Sequence, residues 1–338
     1  MNSIEKLEKR NKRTPLETVA PLSSPYVIYI DPCGACNFGC TFCPCNNSRY
    51  MTKERFKVMS SDTFKKITDD MCCFDEKVKV VDLWAWGEPF MNKNLPDMIQ
   101  YLHDKNACRE IRTCTNGSFL KPELNQRLAD SGLDMIRISI SAMDSQGYEE
   151  TCKVKFDFEK LVDNVKDLYK KSRGTNLKVS IKTVEIAVNN EDKLNLFYDI
   201  FAPISDYIFI EDIVDAFPGY ENLEKPDNTK VTFRKWNSYE DRANYVCAKP
   251  LVQMAIHSDG AVSACCNDWM FKTAYGNIET DSLKDLWLSE HLNNFRLLHL
   301  EKDRREIPYC RICDCESDDD IDDVRDVIAQ NIRKSIQS

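Results

Sequence analysis

Between residues 27 and 210, six apolar, β-branched runs alternate with stretches of helical period. This alternation restricts the fold more than any other feature of the chain. The runs at 27–30, 78–84, 110–113, 135–140, 179–184 and 207–210 have the length and composition of strands. Between them, 61–71, 95–105, 122–131, 158–171 and 193–201 repeat their apolar residues at helical spacing. Strand, helix and strand in succession form crossover units, so the expected class is α/β with a parallel sheet. Six units are too few for a closed eight-stranded barrel, but they permit a curved, open one with its site at the C-terminal strand ends.

The rest of the chain divides around this unit. Residues 1–25 read as a polar extension ending in Pro21 and Pro25, and 26–214 as the β/α domain. Residues 215–244, with Pro218-Gly219 and Pro226-Asp227-Asn228, read as a linker. Residues 245–316 form a small second domain, and 317–338 a helix with Ser317 as its cap and the acidic run 318–323 in its first turn. The Lys- and Arg-rich start lacks the apolar centre of a secretory signal, and no stretch nears the roughly 20 apolar residues that span a bilayer. A cytoplasmic protein with no membrane partner is therefore expected. A net charge of −9 disfavours nucleic acid. Sixteen cysteines in a long chain without a signal argue for metal, cluster or redox chemistry rather than disulfides.

Two cysteine groups have ligand spacing. Cys36, Cys40 and Cys43 form C-x3-C-x2-C directly after the first run. Structural zinc normally has four ligands, whereas a [4Fe–4S] cluster on three thiolates keeps one iron open to an outside molecule. An incomplete zinc site or unliganded thiols would also fit the array taken alone. The second group is Cys247, Cys265, Cys310 and Cys313, whose four thiolates suit a closed cluster or tetrahedral zinc. Cys266 competes with Cys265, although the G-x4-C count from Gly260 favours Cys265. A two-residue hairpin at Asp259-Gly260 would turn Cys265 back toward Cys247. Cys33 and Cys45 read as bystanders, and most of Cys72, Cys73, Cys108, Cys114 and Cys152 as buried small hydrophobes. His103, His257, His291 and His299 show no metal pattern.

The second run ends in Trp84-Ala85-Trp86-Gly87-Glu88-Pro89, the third leads into Thr115-Asn116-Gly117, and the fourth into Ser139-Ile140-Ser141. With the first cysteine array, these motifs in this order resemble the radical S-adenosylmethionine (SAM) superfamily, and the second group resembles its SPASM/Twitch extension. The resemblance implies a partial (β/α)6 TIM-like barrel with a small cluster-binding domain. It also implies that SAM chelates the open iron on Cys36, Cys40 and Cys43, and that an electron from the cluster cleaves SAM to a 5′-deoxyadenosyl radical. Gly87, Glu88 and Pro89 match the family's GGEP motif, with Trp86 in place of its first glycine and Glu88 facing the SAM amino group. Phe42 falls beside the adenine, and Thr115, Asn116, Ser139, Ser141 and Asn189 near the ribose and methionine. Cys247, Cys265, Cys310 and Cys313 would hold an auxiliary [4Fe–4S] cluster.

Only Cys315 follows Cys313, which points to the shorter Twitch-like form with one auxiliary cluster. The implied activity is hydrogen abstraction from a small polar substrate, such as a sugar or aminocyclitol, with the auxiliary cluster accepting an electron and flavodoxin or ferredoxin as external reductant. Peptide-maturing relatives often carry a leader-binding domain larger than the extension ahead of Tyr26, which tilts the expectation away from them. A ribosomal-peptide maturase is nevertheless one alternative, and a non-catalytic iron–sulfur or zinc carrier is another.

Overall fold

The computed structural model describes residues 14–43, 57–211, 246–301, 306–311, 313 and 322–337. Cys45, Cys315, Ser317, residues 318–321 and the 215–244 linker lie outside the described residues.

A nine-stranded sheet runs in the order β6-β5-β4-β3-β2-β1-β7-β8-β9. Strands β1 (Val27–Ile30), β2 (Val78–Leu83), β3 (Cys108–Thr115), β4 (Met135–Ile140), β5 (Lys178–Val184) and β6 (Tyr207–Glu211) lie in chain order and pair in parallel. Successive right-handed crossovers in one direction put all the connecting helices on one face. The expected helices are α1 (Ser61–Met71), α2 (Leu95–Asp104), α3 (Pro122–Asp130), α5 (Phe158–Ser172) and α6 (Glu191–Phe201). Three begin on a side-chain cap from the preceding residue: Ser60 accepts from the Thr63 amide, Asp157 from Lys160 and Asn190 from Lys193. The sequence does not announce α4 (Ser145–Cys152), because its buried stripe is only Tyr148 and Cys152.

Register decides what each face carries. In-register parallel strands point paired residues the same way, so Ile28, Ile30, Val81, Leu83, Ile111, Ile136, Ile138 and Ile181 form one buried apolar face under the helices. Tyr29, Asp82, Arg112, Arg137, Lys182 and Phe209 alternate with them and share the opposite face. Strands of an all-parallel sheet are usually apolar on both sides. Here one side is polar, which marks it as a surface for something other than packing.

The C-terminal segment extends this same sheet. β7 (Gln253–Ile256) pairs in parallel with β1, and β8 (Ala261–Ser263) and β9 (Ala274–Asn277) continue antiparallel. Between β7 and β8 the His257 N bond to Ala261 O closes a loop of three residues, Ser258-Asp259-Gly260, rather than the expected two. The Gly260 amide donates to His257 O at 2.9 Å, and Gly260 takes φ 86°, the left-handed position of a three-residue hairpin loop. Helix α7 (Lys249–Val252) leads into β7, helices α8 (Leu283–Leu288), α9 (Glu290–Glu301) and α10 (Pro308–Arg311) follow β9, and α8 is tied to the N-terminal segment by Trp287 Nε1 donating to Leu22 O at 2.7 Å. The last helix, α11 (Arg325–Gln337), buries Ile328, Ala329 and Ile332 against Ala20, Leu251 and Leu300. Val327, one position before the buried Ile328, stands 49% exposed.

Candidate functional site

The first cysteine loop leaves the C-terminal end of β1, and backbone bonds from several distant segments hold it. Met59 N donates to Pro32 O, Gly34 N to Lys57 O, Glu88 N to Ala35 O, Gly39 N to Cys152 O and Thr41 N to Thr151 O, all at 2.8 to 3.0 Å. The buried Asn92 amide clamps the same loop, donating to Pro32 O at 3.1 Å and Met59 O at 3.0 Å. Gly87 is required by contact: a Cβ there would lie 1.9 Å from Cys33 O and 2.5 Å from Ala35 O. The Gly87-Glu88 backbone is thus seated directly on the cysteine loop.

Cys36, Cys40 and Cys43 are half-buried along this loop. Cys36 Sγ is approached by Phe38 N at 3.4 Å and Asn116 Nδ2 at 3.9 Å, donors of the kind that surround a cluster-ligating thiolate. Burial pushes the Cys36 thiol up to about 12, so ligation would displace a firmly held proton. Phe42 is half-buried between Cys40 and Cys43. These three sulfurs on one braced loop, with two N–H donors aimed at that of Cys36, fit a [4Fe–4S] cluster.

Glu88 is 2% exposed, and its carboxylate is used mainly by the chain itself. Oε1 accepts from Thr115 Oγ1 at 2.7 Å and Phe90 N at 3.1 Å, and Oε2 from Asn116 N at 2.8 Å. One of its roughly four lone-pair directions is left for a ligand. Burial, against those three bonds, raises its pKa to about 7. Thr115 Oγ1 also accepts from Gly117 N at 3.0 Å, so this hydroxyl braces the turn. The Asn116 side chain donates to Asn37 Oδ1 at 2.9 Å, joining the β3 turn to the cysteine loop. Pro89 is buried at the start of a short turn, Pro89–Met91. Ser139 is half-buried on the polar face, 3.6 Å from Cys114 Sγ. Ser141 is buried and lies against Tyr148 and Cys152. Asn189 is exposed beyond β5, and among the described residues no hydrogen bond joins it to the cysteine loop.

The second group converges in three dimensions. Cys247, Cys265, Cys310 and Cys313 line one cavity together with Lys249, Pro250, Phe295, His299 and Tyr309. Asn267 N donates to Cys265 Sγ at 3.3 Å. Buried Asp268 shapes the loop by accepting from Lys272 N, Thr273 N and Thr273 Oγ1. Cys266 is outside the cavity lining: its sulfur lies beside that of Cys265 and faces Gln253 Nε2 at 3.2 Å and the Tyr29 phenol. Four thiols around one buried space fit a closed cluster. Because β8 runs antiparallel to β1, Cys265 lies toward the N-terminal strand ends, opposite the first cysteine loop.

Residues 30–192 match the radical SAM superfamily, and residues 247–316 match an iron–sulfur cluster-binding domain, SPASM. The chain belongs to the radical SAM superfamily. These two matches indicate SAM and [4Fe–4S] clusters as its cofactors, and the second sets the zinc reading aside. Among curated relatives of this radical SAM protein, the probable GTP 3′,8-cyclase of Methanocaldococcus jannaschii is 26% identical over 224 residues, 62% of this chain and 69% of that one. The probable GTP 3′,8-cyclase of Methanococcus maripaludis is 30% identical over 116 residues, 34% of this chain and only 36% of that one. Among solved structures, BtrN in complex with AdoMet and 2-DOIA superposes with TM-score 0.57 at 17% identity, covering 88% of this chain and 97% of BtrN. Streptococcus suis SuiB bound to precursor peptide SuiA gives 0.62 at 16% identity, covering 94% and 77%. Identities this low carry the fold alone.

Several residues around the radical SAM site escaped the sequence reading. Asp31, directly after β1, is 1% exposed, and its carboxyl is pushed up to about 8, first by burial, against bonds from the Trp86, Gly87 and Cys33 amides. Asn37 sits inside the cysteine array and donates to Ser118 Oγ at 2.9 Å. Cys152 is fully buried with its sulfur 3.5 Å from Cys40 Sγ, a contact no spacing rule reveals because α4 supplies it. Cys33 is also buried, whereas Cys72 and Cys73 are exposed rather than buried. His299, to which the sequence assigned nothing, lines the four-cysteine cavity. No described helix is long and apolar enough to cross a membrane.

Proposed function

We propose that Cys36, Cys40 and Cys43 carry the SAM-binding cluster, that Cys247, Cys265, Cys310 and Cys313 carry an auxiliary cluster, and that the enzyme oxidises a small polar substrate lying on the polar face of the sheet. The observation that carries this reading is the Tyr29 phenol, which stands on that face between the Asp82 carboxylate and the Cys266 thiol and interacts with both. The polar face thereby adjoins the four-cysteine group at one end, while the first cysteine loop caps its other end. When bound, SAM and its cluster supply a 5′-deoxyadenosyl radical that removes a hydrogen atom from an unactivated carbon. The chain's own work is positional. Gly87 and Glu88 brace the cysteine loop, the free lone pair of Glu88 is offered to the SAM amino group, and Asn116 keeps an N–H donor beside Cys36. Phe42, Ser139, Ser141 and Asn189 are assigned to the surrounding SAM pocket. A substrate held between the two cysteine groups would have a route for its surplus electron toward Cys265.

The relatives named above bear on the substrate without deciding it: one is named for GTP, one is crystallised with 2-DOIA and one with a precursor peptide. The decisive comparison is between the two cysteine groups. Anaerobically reconstituted protein should contain about eight irons per chain, and the Cys310→Ala, Cys313→Ala double variant about four. Any of Cys36→Ala, Cys40→Ala or Cys43→Ala should abolish 5′-deoxyadenosine formation with dithionite. The double variant should still form it, uncoupled, while giving no oxidised product. If a folded double variant oxidises substrate at the wild-type rate, the auxiliary group is not the electron acceptor.

A further inference from the structure

The polar face of the sheet carries two cations held in ion pairs and, between them, a guanidinium that is not. Arg112 is gripped by Asp82 through two parallel bonds, Nε to Oδ1 at 2.7 Å and Nη2 to Oδ2 at 2.8 Å. The Lys182 ammonium is bonded to the Glu211 carboxylate. Arg137 lies on β4 between these pairs, and among the described residues no carboxylate bonds to it. Its guanidinium instead lies 5.9 Å from the ring centre of Trp84 and 5.5 Å from that of Phe209. Its Nε is shielded from solvent and has no acceptor among the described residues.

An arginine without a partner on an open surface is simply hydrated and carries no message. Arg137 differs on three counts. Two aromatic rings flank its guanidinium, its Nε is closed off from water, and its side chain is half-buried on a face already singled out by its polarity. Ring contacts offset part of the charge, but they accept none of the in-plane N–H bonds. The Asp82 carboxylate, on which the charge of Arg137 acts, is committed elsewhere. It bonds to Arg112 and Tyr29, and Glu110 acts on Arg112 one layer down. A planar fork of donors, flanked by two rings and lacking an acceptor for its Nε among the described residues, is complementary to a carboxylate or a phosphate.

We propose that Arg137 is the substrate's anion-binding residue, with Trp84 and Phe209 as the walls of the subsite, and that the substrate of this enzyme therefore carries a carboxylate or phosphate group. The proposal rests on reading the polar face as the substrate chamber and sharpens the substrate class from small and polar to small and anionic.

Isothermal titration calorimetry on the anaerobic, SAM-loaded protein tests it with two probes, oxalate for carboxylates and inorganic pyrophosphate for phosphates. Wild-type protein should bind one of them saturably, and the preferred probe identifies the anion. Arg137→Gln should weaken that binding at least tenfold, and Arg137→Lys should fall between, since an ammonium keeps the charge without the fork. Arg127→Gln, which breaks only the exposed pair with Asp97, should bind as wild type. If Arg137→Gln misfolds, Arg137→Lys and Phe209→Leu carry the test, the latter weakening the probe through a loosened wall. Equal binding by wild type and the Arg137 variants, or no binding of either probe to wild type, overturns the proposal. So does a tenfold loss of SAM affinity in Arg137→Gln, which would assign the guanidinium to the SAM carboxylate. SAM cleavage and iron content measured on the same samples separate this failure from failure of the underlying reading, because both survive if only the Arg137 assignment is wrong.

Discussion

The two cysteine groups differ in what holds them in place before any iron arrives. The first occupies a single loop that is stitched by backbone bonds to the segments around residues 57–59, 88 and 151–152, and seated on Gly87. The second draws Cys247 from ahead of α7, Cys265 from the end of β8, and Cys310 and Cys313 from the region of α10. The packing of the β/α domain therefore shapes the first site, whereas a metal at the second would itself link separated segments. A metal site that joins segments contributes its binding energy to folding, while a site preformed by the fold contributes less.

The sharpest way to break this comparison is Gly87→Ala. A methyl group 1.9 Å from Cys33 O forces the loop off its seat, so about four of the eight expected irons should be lost from the first site while the second stays loaded. Iron analysis with electron paramagnetic resonance of each cluster reads the outcome, and full occupancy of both sites would show that the seat is not needed. Next in size is a difference in melting. The Cys310→Ala, Cys313→Ala variant should melt at least about 5 °C below the variant lacking Cys36, Cys40 and Cys43, measured anaerobically. The reverse order would mean that the first loop depends on its metal more than its backbone bonds suggest.

A smaller effect is expected from Glu88→Gln. An amide nitrogen placed at Oε2 would face the Asn116 N–H donor and leave it unsatisfied, a cost of about 1 to 3 kcal/mol. Chemical denaturation measures that loss, and SAM affinity should fall about tenfold with it because the turn beside Cys36 moves. The smallest effect is a slope against pH. The Asp31 carboxyl, pushed up to about 8 by burial, keeps its proton in the folded state well above its unfolded pKa of about 4. Its contribution to stability is then fully present below pH 4 and is lost as pH rises toward 8. Melting temperatures of wild type should therefore fall relative to Asp31→Asn across that window. Parallel curves would show that Asp31 titrates normally.

How much of this was legible depends on the distance over which each feature acts. The six strands and five of the helices could be read because each is a local period or cap, such as Ser60 before α1 or Asn190 before α6. Cys36, Cys40 and Cys43 were legible for the same reason, being contained in eight consecutive residues. Glu88 was visible as a motif, but the sequence could not show that its bonds go to Thr115, Phe90 and Asn116, two of which belong to the next β/α unit. Cys152 and His299 gave no signal at all. Each acquires its place only when a helix distant in sequence docks beside the cysteines.

The sequence by itself determined the alternation of strand and helix, the residue types at the strand ends and the first set of thiols, because all three follow from neighbouring residues and their covalent spacing. Tertiary structure alone decided that β7 joins β1, that four cysteines scattered beyond residue 246 share one cavity, and that Arg137 comes to rest between Trp84 and Phe209, with no carboxylate bonded to it among the described residues. These are consequences of register and of which segment covers which. They depend on a small free-energy balance summed over the whole chain, which no local pattern encodes.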